Sequence, residues 1–537
     1  MPLHGLQHIE PAVLFVLFFV VVLAALAKRL EVPYAIILMI GGLLLGVIPG
    51  IPHLRLNPNV FFLVILPPLI FSGAFLMPWR DFRNNLSTIT MLAVGLVGFT
   101  VFGIAAATRW LLPGFDWRTG LVLGAVVAAT DPIAATAIAR RLGLPQRLMH
   151  ILEGESLVND ATGLLALEFA TALVVSGHIP SLAAGAARLL YLIFGSIVIG
   201  LIVGKIIHEF ERRIADAPIE ITISLLAPYF AYLGAESLHA SGVMATVACG
   251  LYLGHRSSVY FSRDARVQSA AVWDTLTFAL NGVVFILIGL QLPYIKAEIV
   301  SLRLPQLLRD ALVFSAILIL LRLVWMYPAA WASNFVRGRW QRRAAPFPNP
   351  RAVFIMGWTG MRGALGLAAA LALPEVLDSG ARFPQRSTII FLTFCVIFVT
   401  LVLQGLTLPS LIRGLGLAGG IHADREEEGA RRAMIEAAIS YLDTARKADT
   451  TQFAALYDEL ARFERRRLSA LAGDGAATAQ GGYRPEDYER MQNVLQEMRT
   501  VQRAVITRMR NENKINEDVL RRLEHELDLR STVAEHS

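Results

Sequence analysis

Charged residues are scarce in this chain, because only 17% of its 537 residues are Asp, Glu, Lys or Arg and 55% are hydrophobic. A soluble protein of this length carries more charge, so the composition indicates a protein that crosses a membrane several times. Cysteine is scarce too, and both residues, Cys249 and Cys395, lie in apolar segments. Without a CxxC pair or a disulfide framework, cysteine use says nothing about the compartment.

Catalytic motifs are also missing. The sequence contains no HExxH, no Walker A loop and no GxSxG, so hydrolysis and ATP-driven pumping have no support. We therefore expect neither enzymatic activity nor a bound cofactor. Nucleic-acid binding explains the basic excess poorly, because the arginines lie in short loops between apolar runs.

The apolar runs predict an all-α polytopic membrane protein. Thirteen segments are long enough to cross, or nearly cross, about 30 Å of hydrocarbon. With the N-terminus outside and the C-terminus in the cytoplasm, most loop Lys and Arg residues fall on the inner side, as expected for a cell-membrane protein. The segments cover roughly residues 11–27, 33–50, 59–77, 86–112, 119–139, 151–176, 185–207, 218–238, 240–255, 267–292, 308–336, 352–373 and 387–411.

The end of the chain has a different composition. We divide the chain into a membrane domain, 1–415, and a cytoplasmic helical tail, 421–537. In the tail, the stretches 430–471 and 485–529 have helix-forming composition, and between them lies the flexible linker AGDGAATAQGG. Apolar residues recur at helical spacing between 491 and 505, which favours an amphipathic helix pair or a coiled-coil contact in an oligomer. A solvated appendage without a role in transport is the alternative.

Two predicted spans are interrupted. In the fifth, Pro132 removes a backbone donor and pushes the preceding residue out of the helical region, so the helix is expected to open near Thr130 and Asp131. In the twelfth, four glycines surround Arg362. If spans 1–6 and 8–13 are inverted repeats, the two breaks correspond. Paired broken helices are typical of the substrate site of a secondary transporter, although Pro and Gly also produce ordinary kinks.

The sixth span carries polar residues where a membrane segment tolerates few, since a carboxylate at membrane depth is costly. Ser156 and Asp160 are four residues apart and share a helix face, and Glu155 and Asn159 form the neighbouring stripe. Together they offer carboxylate, amide and hydroxyl oxygens, to which the opened helix can add the Thr130 carbonyl. The pattern predicts a site for a hard monovalent cation, with Asp160, Ser156 and Thr130 as the Na⁺ ligands.

Charge balance at this depth suggests a mechanism. Arg362 is the expected counter-charge of Glu155, which would leave Asp160 free. Burial favours the protonated form of Asp160 and a bound cation favours the ionised form. If only one partner fits at a time, and the protein crosses only when loaded, ion–proton antiport follows. A structural carboxylate bonded to the broken helix is the alternative for Asp160.

Other polar residues in the spans carry weaker signals. Glu168 lies two turns beyond Asp160 and could line an access path. Asp274 and Asn281 are seven residues apart on one helix face, and could line a cytoplasmic entrance or pair with loop arginines. Arg322 lies near the middle of its span and must find a partner, for which structural pairing is the favoured interpretation.

Three stretches together resemble the monovalent cation:proton antiporter-1 family of sodium/proton exchangers. The resemblance covers about residues 11–415 and does not include the tail. It implies a thirteen-span inverted repeat in which a six-helix core moves against a dimer-forming scaffold, and hence a homodimer in the bilayer. The stretches are ATDPIAATAIARRLGLPQRLMHILEGESLVNDATGLL, WDTLTFALNGVVFILIGLQLP and GWTGMRGALGLAAALALP.

The resemblance also implies roles for the polar residues of the sixth span. Asp160 resembles the ion and proton carrier and Asn159 its partner. The related electrogenic family has a second aspartate in place of this Asn, so the Asn implies electroneutral exchange of one cation for one proton. Ser156 resembles a cation ligand, and Glu155 resembles the residue that pairs with the arginine matched by Arg362.

The interrupted spans match the family as well, with one departure nearby. The Thr130 carbonyl resembles a cation ligand, and Asp131 resembles the residue that balances the broken-helix ends. In LPPLIFSGAF, Ser72 stands where relatives commonly carry an acidic residue near the ion path. Sodium/proton exchange is the implied function, with lithium or potassium left open. A potassium/proton antiporter, a channel and a membrane scaffold are the alternatives.

Overall fold

The computed structural model describes residues 9–49, 54–112, 114–177, 181–214, 216–261, 263–298, 304–341, 349–418 and 454–472, most of 432–447, and Arg508. Within these ranges the chain is almost wholly helical, and its one β pairing is an isolated bridge between Val376 and Arg382. The predicted all-helical fold is therefore confirmed.

Seventeen helices carry most of the described residues, and several of them contain a short π-helical turn. They are α1 (Ile9–Leu30), α2 (Tyr34–Val47), α3 (Pro58–Leu76), α4 (Trp79–Leu111), α5 (Trp117–Val126), α6 (Ile133–Arg141), α7 (Gln146–Val175), α8 (Ala183–Glu211), α9 (Ala217–Ser237), α10 (Gly242–Tyr260), α11 (Arg263–Leu290), α12 (Leu292–Glu298), α13 (Leu304–Gln341), α14 (Pro350–Trp358), α15 (Ala364–Leu371), α16 (Arg386–Gly414) and α17 (Ala454–Ala472).

The helices follow the predicted apolar segments. Eleven of the thirteen segments each overlap mainly one helix. The fifth and twelfth each overlap a pair of helices, α5–α6 and α14–α15. Among the described residues, eight helices are long and apolar enough to cross a membrane. Large apolar side chains such as Phe102, Trp110 and Leu320 are exposed, as contact with lipid requires. The number of crossings, thirteen, stays a prediction.

Both interruptions occur where the sequence predicts them. Helix α5 ends at Val126 and α6 begins at Ile133, so the first break contains Thr130, Asp131 and Pro132. Helix α14 ends at Trp358 and α15 begins at Ala364, so the second break is the run 359–363. Proline and glycine destabilise a continuous helix at these points, and neighbouring helices must satisfy the freed backbone groups.

Small residues bring helices α2 and α11 into close backbone contact. A Cβ atom on Gly42 would overlap the carbonyl of Ile286, and one on Gly289 would overlap the carbonyl of Met39. Without side chains at these points the two backbones can approach closely, as membrane helices often do. The pair packs against the half-helices that follow the two breaks, because α2 contacts α6 and α11 contacts α15.

The chain divides into two compact units, Met1–Gly420 and Ile421–Ser537, at the point where the composition changes. In the second unit, α17 is joined to the preceding helical residues by two ion pairs, Arg446–Asp458 and Arg465–Asp443, both at 2.9 Å. The predicted helix over 485–529, apart from Arg508, and the apolar pattern between 491 and 505 lie outside the described residues, so the role of the tail stays a prediction.

Candidate ion-binding site

A cavity of about 370 Å³ lies beside the first break. It is lined by parts of α3, α6, α7 and α11 and by the first residues of α15. Four predicted site residues, Thr130, Asp131, Ser156 and Asp160, meet there, together with the predicted access residues Ser72 and Asp274. The other polar lining residues are Thr136, Arg140, His150, Glu153, Thr277 and Asn281.

Helix α7 holds the first break through two hydrogen bonds to one residue. The Ser156 hydroxyl donates to the Thr130 carbonyl at 2.7 Å, and the Asn159 side-chain amide donates to the Thr130 hydroxyl at 3.1 Å. All three residues are buried. The face of α7 predicted from the four-residue spacing therefore does contact the opened helix, and it brings two oxygen atoms, those of Ser156 and Thr130, close together.

Asp131 is hydrogen-bonded both to the second break and to the first residue of the half-helix α6. Its backbone N–H donates to the Met361 carbonyl at 2.8 Å, and its carboxylate accepts from the Ile133 N–H at 2.9 Å. A negative side chain at a helix N-terminus is stabilised by the free N–H groups there. The predicted balancing role of Asp131 stays a prediction, and this contact gives it a structural basis at the start of α6.

Arg362 satisfies carbonyls that the first break leaves open. Its guanidinium donates to the carbonyls of Ala128 and Ala129, the second at 3.3 Å. The positive charge thus lies at the C-terminal end of α5, where it offsets the partial negative charge of that helix end. The same residue donates its backbone N–H to the Thr400 hydroxyl at 3.1 Å.

The predicted ion pair between Glu155 and Arg362 is wrong, because Glu155 pairs with Arg322 of α13. The Nη1 and Nη2 atoms of Arg322 donate to the two carboxylate oxygens of Glu155, with Nη2 2.9 Å from Oε2. Both side chains are buried. Arg322 also donates to the carbonyls of Met356 and Gly357 at the end of α14. Arg322, in the middle of α13, therefore takes the place beside Glu155 that the sequence assigns to Arg362.

Asp160 differs from its neighbours in having no bonded partner. Its carboxylate lines the cavity, and among the described residues no side chain or backbone group is hydrogen-bonded or ion-paired to it. Glu155 is already neutralised by Arg322, and Asn159 is uncharged. Asp160 is therefore the carboxylate of the sixth span that remains open to a cation or a proton.

The cavity continues towards the N-terminal end of α7, where ionisable side chains gather. Glu153 pairs with Arg140 at 3.0 Å, and His150 lies 3.2 Å from Asp81. Asp274 of α11 lines the same cavity. Nothing in the sequence except proximity to the sixth span indicates that His150, Glu153 and Arg140 belong to the cavity.

The remaining access residues fall in two places. Ser72 is buried, donates to the Leu69 carbonyl at 2.9 Å and accepts from the Thr277 hydroxyl at 3.2 Å. Thr277 was missed, although it lies on the helix face shared by Asp274 and Asn281. Glu168 does not line the cavity. It forms a half-exposed ion pair with Arg188 at 3.0 Å, so its proposed place on an access path loses its geometric basis.

Replacing Gly363 by Ala should damage the crossing of the two breaks. A Cβ atom there would overlap the Asp131 side chain, lying 2.6 Å from Oδ2 and 2.9 Å from Cγ. We expect about 1–3 kcal/mol of destabilisation and a loss of cation binding, because Asp131 must move. Thermal unfolding measured with and without sodium checks this. Gly98→Ala is the control, since nothing lies within 4 Å of its added Cβ, and equal effects of the two changes would contradict the prediction.

Known proteins are similar to this chain in sequence and in fold. Residues 15–414 match the family model described as sodium/hydrogen exchanger, transmembrane. A Na⁺/H⁺ exchanger of Mycobacterium tuberculosis is 34% identical over 525 residues, 95% of this chain and 93% of the relative. A sodium, potassium, lithium and rubidium/H⁺ antiporter of Bacillus pumilus is 31% identical over 424 residues, 76% of this chain and 62% of the relative.

A solved structure agrees with the fold. The sodium proton antiporter MjNhaP1 of Methanocaldococcus jannaschii superimposes with a TM-score of 0.59 at 20% identity, over 76% of this chain and 99% of that one. At this identity the likeness supports the fold, while the family rests on the sequence matches. The chain belongs to the sodium/hydrogen exchanger family of membrane transporters.

Proposed function

We propose that this protein exchanges one sodium ion for one proton by alternating access, with the two ions competing for Asp160. The observation that carries this proposal is the unpaired Asp160 carboxylate in a cavity wall beside the Ser156 hydroxyl and the Thr130 carbonyl. These oxygen atoms are the ligands that a hard monovalent cation prefers. The cavity lies beside both helix breaks, where transporters bind their ions.

One free carboxylate is the basis for electroneutral exchange. Asp131 is engaged with the start of α6 and Glu155 with Arg322, so Asp160 is the carboxylate beside the breaks that can change partners. Asp274 lines the same cavity from an exposed position on α11. If it carries either one proton or one monovalent cation, each cycle moves no net charge. Exchange in liposomes should therefore be insensitive to an imposed membrane potential, and a rate that depends strongly on potential would contradict the proposed stoichiometry.

The basic test uses purified protein in liposomes with an acid interior and an internal pH dye. Added sodium should release protons from the lumen. Potassium, lithium and rubidium are added separately, because the name of the Bacillus pumilus relative includes all four cations. Sodium alone or sodium with lithium supports the first proposal, whereas a potassium response at lower concentration favours potassium/proton exchange. The absence of a proton response to any of the four cations would contradict the antiport proposal.

Potassium/proton exchange is the second candidate because of one residue. Ser72 offers a hydroxyl at the cavity wall, whereas a carboxylate there would favour a smaller, more strongly hydrated ion. A channel is a weaker proposal, since the polar residues cluster around the helix breaks instead of following one span from end to end. A scaffold would not require an unpaired Asp160 in a cavity.

Competition predicts how the sodium response depends on pH. If a proton and a cation exclude each other at Asp160, each unit of acidification below the range where Asp160 is ionised should raise the apparent KM for sodium about tenfold. The maximal rate at saturating sodium should change far less. The measurement is a sodium titration at four pH values on the cation side. An apparent KM that stays constant across acidic pH would show that the two ions bind at different sites.

Three further points belong to this proposal. We place the protein in the cell membrane with its N-terminus outside and the 421–537 tail in the cytoplasm, because loop Lys and Arg residues then lie mainly inside. The mouth of the cavity near Arg140 and His150 would face the cytoplasm in that orientation. By family resemblance the functional unit is a homodimer, which size measurement in detergent tests directly.

A further inference from the structure

Thr400 ties the second break to the backbone of α16. Its hydroxyl donates to the Val396 carbonyl at 2.8 Å and accepts from the Arg362 backbone N–H at 3.1 Å. The side chain is fully buried and begins the π-helical turn Thr400–Gln404. Single π-helical turns inside α-helices are frequent at functional sites. One hydroxyl group therefore connects a distorted turn of α16 to the middle of the second break.

Arg362 carries this connection to the first break. Its guanidinium donates to the carbonyls of Ala128 and Ala129, and the preceding residue, Met361, accepts from the Asp131 N–H at 2.8 Å. Thr130 and Asp131 follow Ala129 directly in the chain. A shift of the Arg362 backbone would consequently move the carbonyl and the carboxylate that flank the ion cavity.

The second break resembles the first in how it is held. Ser156 of α7 binds the first break and precedes Asp160 by four residues, whereas Thr400 of α16 binds the second and precedes Gln404 by four. Gln404 is fully buried and uncharged. If the predicted repeats are correct, these pairs correspond. Helix α16 then holds the second break as α7 holds the first, but with Gln404 in place of the carboxylate. This difference suits α16 to positioning the break and not to binding the ion.

Other contacts hold the helix next to the second break without Thr400. Arg322 donates to the carbonyls of Met356 and Gly357, and Trp358 donates its indole N–H to the Thr407 hydroxyl at 3.0 Å. Helix α14 is thus anchored by two side chains before the break begins. Removing the Thr400 hydroxyl should leave this anchoring of α14 intact. The main effect should be to free the Arg362 backbone in the second break.

We propose that Thr400 is a positioning residue for cation exchange, whose hydroxyl sets the place of Arg362 and thereby the spacing of the Thr130 carbonyl and Asp131 around the cation. This inference rests on the antiport proposed above. A purely structural hydroxyl would change the amount of folded protein, but a positioning hydroxyl changes the apparent affinity of the folded protein for sodium.

The test replaces Thr400 by Val, which keeps the shape and removes the hydroxyl. In liposomes, the apparent KM for sodium should rise about tenfold, because a buried N–H loses its acceptor and the break moves. The apparent KM of Thr400→Ser should stay within about twofold of the wild-type value, since serine retains the hydroxyl. Thr393→Val is the matched control, because Thr393 is equally buried on α16 and its hydroxyl donates only within that helix, to the Ile389 carbonyl at 2.7 Å.

Two outcomes overturn the inference. One is an unchanged apparent KM in Thr400→Val, with any loss confined to the maximal rate and proportional to the folded fraction. The other is an equal change in Thr393→Val. If Thr400→Val does not fold, Thr400→Cys takes its place, since sulfur is a weak acceptor, and its apparent KM should rise at least about threefold.

A second readout separates this inference from the exchange proposal. Sodium should raise the unfolding temperature of the wild type, and Thr400→Val should need about tenfold more sodium for the same rise. If the wild type shows this rise without proton flux, exchange fails as a proposal while the positioning role of Thr400 is still decided by the shift. A wild type that shows neither this rise nor sodium-driven proton flux overturns both.

Discussion

Replacing Asp160 by Asn should reduce sodium-driven proton release at least about 100-fold, a loss of roughly 3 kcal/mol in the free energy of the productive state. The change keeps the size of the side chain and removes its charge. Asp160 is the unpaired carboxylate beside the two breaks, since Glu155 is paired with Arg322 and Asp131 is bonded to the start of α6. An amide can neither exchange a proton near neutral pH nor neutralise a cation in the cavity.

The control for this change is Glu168→Gln on the same helix. Glu168 forms a half-exposed ion pair with Arg188, and such pairs contribute about 0–1 kcal/mol, so exchange should stay within about twofold of the wild type. Both variants are compared at equal amounts of folded protein, judged by unfolding temperature and elution volume. Exchange by Asp160→Asn above a tenth of the wild-type rate would remove this carboxylate from the centre of the mechanism.

Replacing Arg322 by Met should destabilise the protein by about 3–5 kcal/mol, the usual cost of leaving one member of a buried ion pair alone. The Glu155 carboxylate would lose both of its guanidinium contacts, and the carbonyls of Met356 and Gly357 would lose a donor. Little folded protein is expected in the membrane fraction. In purified protein the unfolding temperature should fall sharply.

A double-mutant cycle identifies the partner of Glu155. Combining Arg322→Met with Glu155→Gln should recover much of the lost stability, because the unpaired charge disappears, and the two changes should couple by about 0.5–3 kcal/mol. Glu155→Gln combined with Arg362→Met should be closer to additive. Strong coupling with Arg362 and none with Arg322 would contradict the Glu155–Arg322 pair and restore the pairing expected from sequence.

The features that sequence predicts well are local. Pro132 and the glycines around Arg362 interrupt their helices through their own backbone chemistry, so both breaks are found at the predicted residues. Ser156 and Asp160 share a helix face because of helical spacing alone, and that face does line the cavity. For such features no information about distant residues is needed.

The features that sequence predicts poorly depend on residues far apart in the chain. Glu155 and Arg322 are separated by 167 residues, and nothing in their spacing distinguishes Arg322 from Arg362 as the partner. Both arginines are buried and both need acceptors. The choice depends on which helix end lies nearest to each guanidinium, and that is a property of helix packing.

The hydrogen bond between Ser156 and the Thr130 carbonyl has a consequence for how firmly a cation can be held. The Ser156 hydroxyl donates to this carbonyl at 2.7 Å, so each of the two oxygen atoms has a partner within the protein. An arriving ion that uses both must turn the hydroxyl proton away and replace a bond that is already made. The net gain on binding is therefore the difference between two favourable arrangements. A carrier benefits from this small difference, because an ion that is held only modestly can leave on the other side.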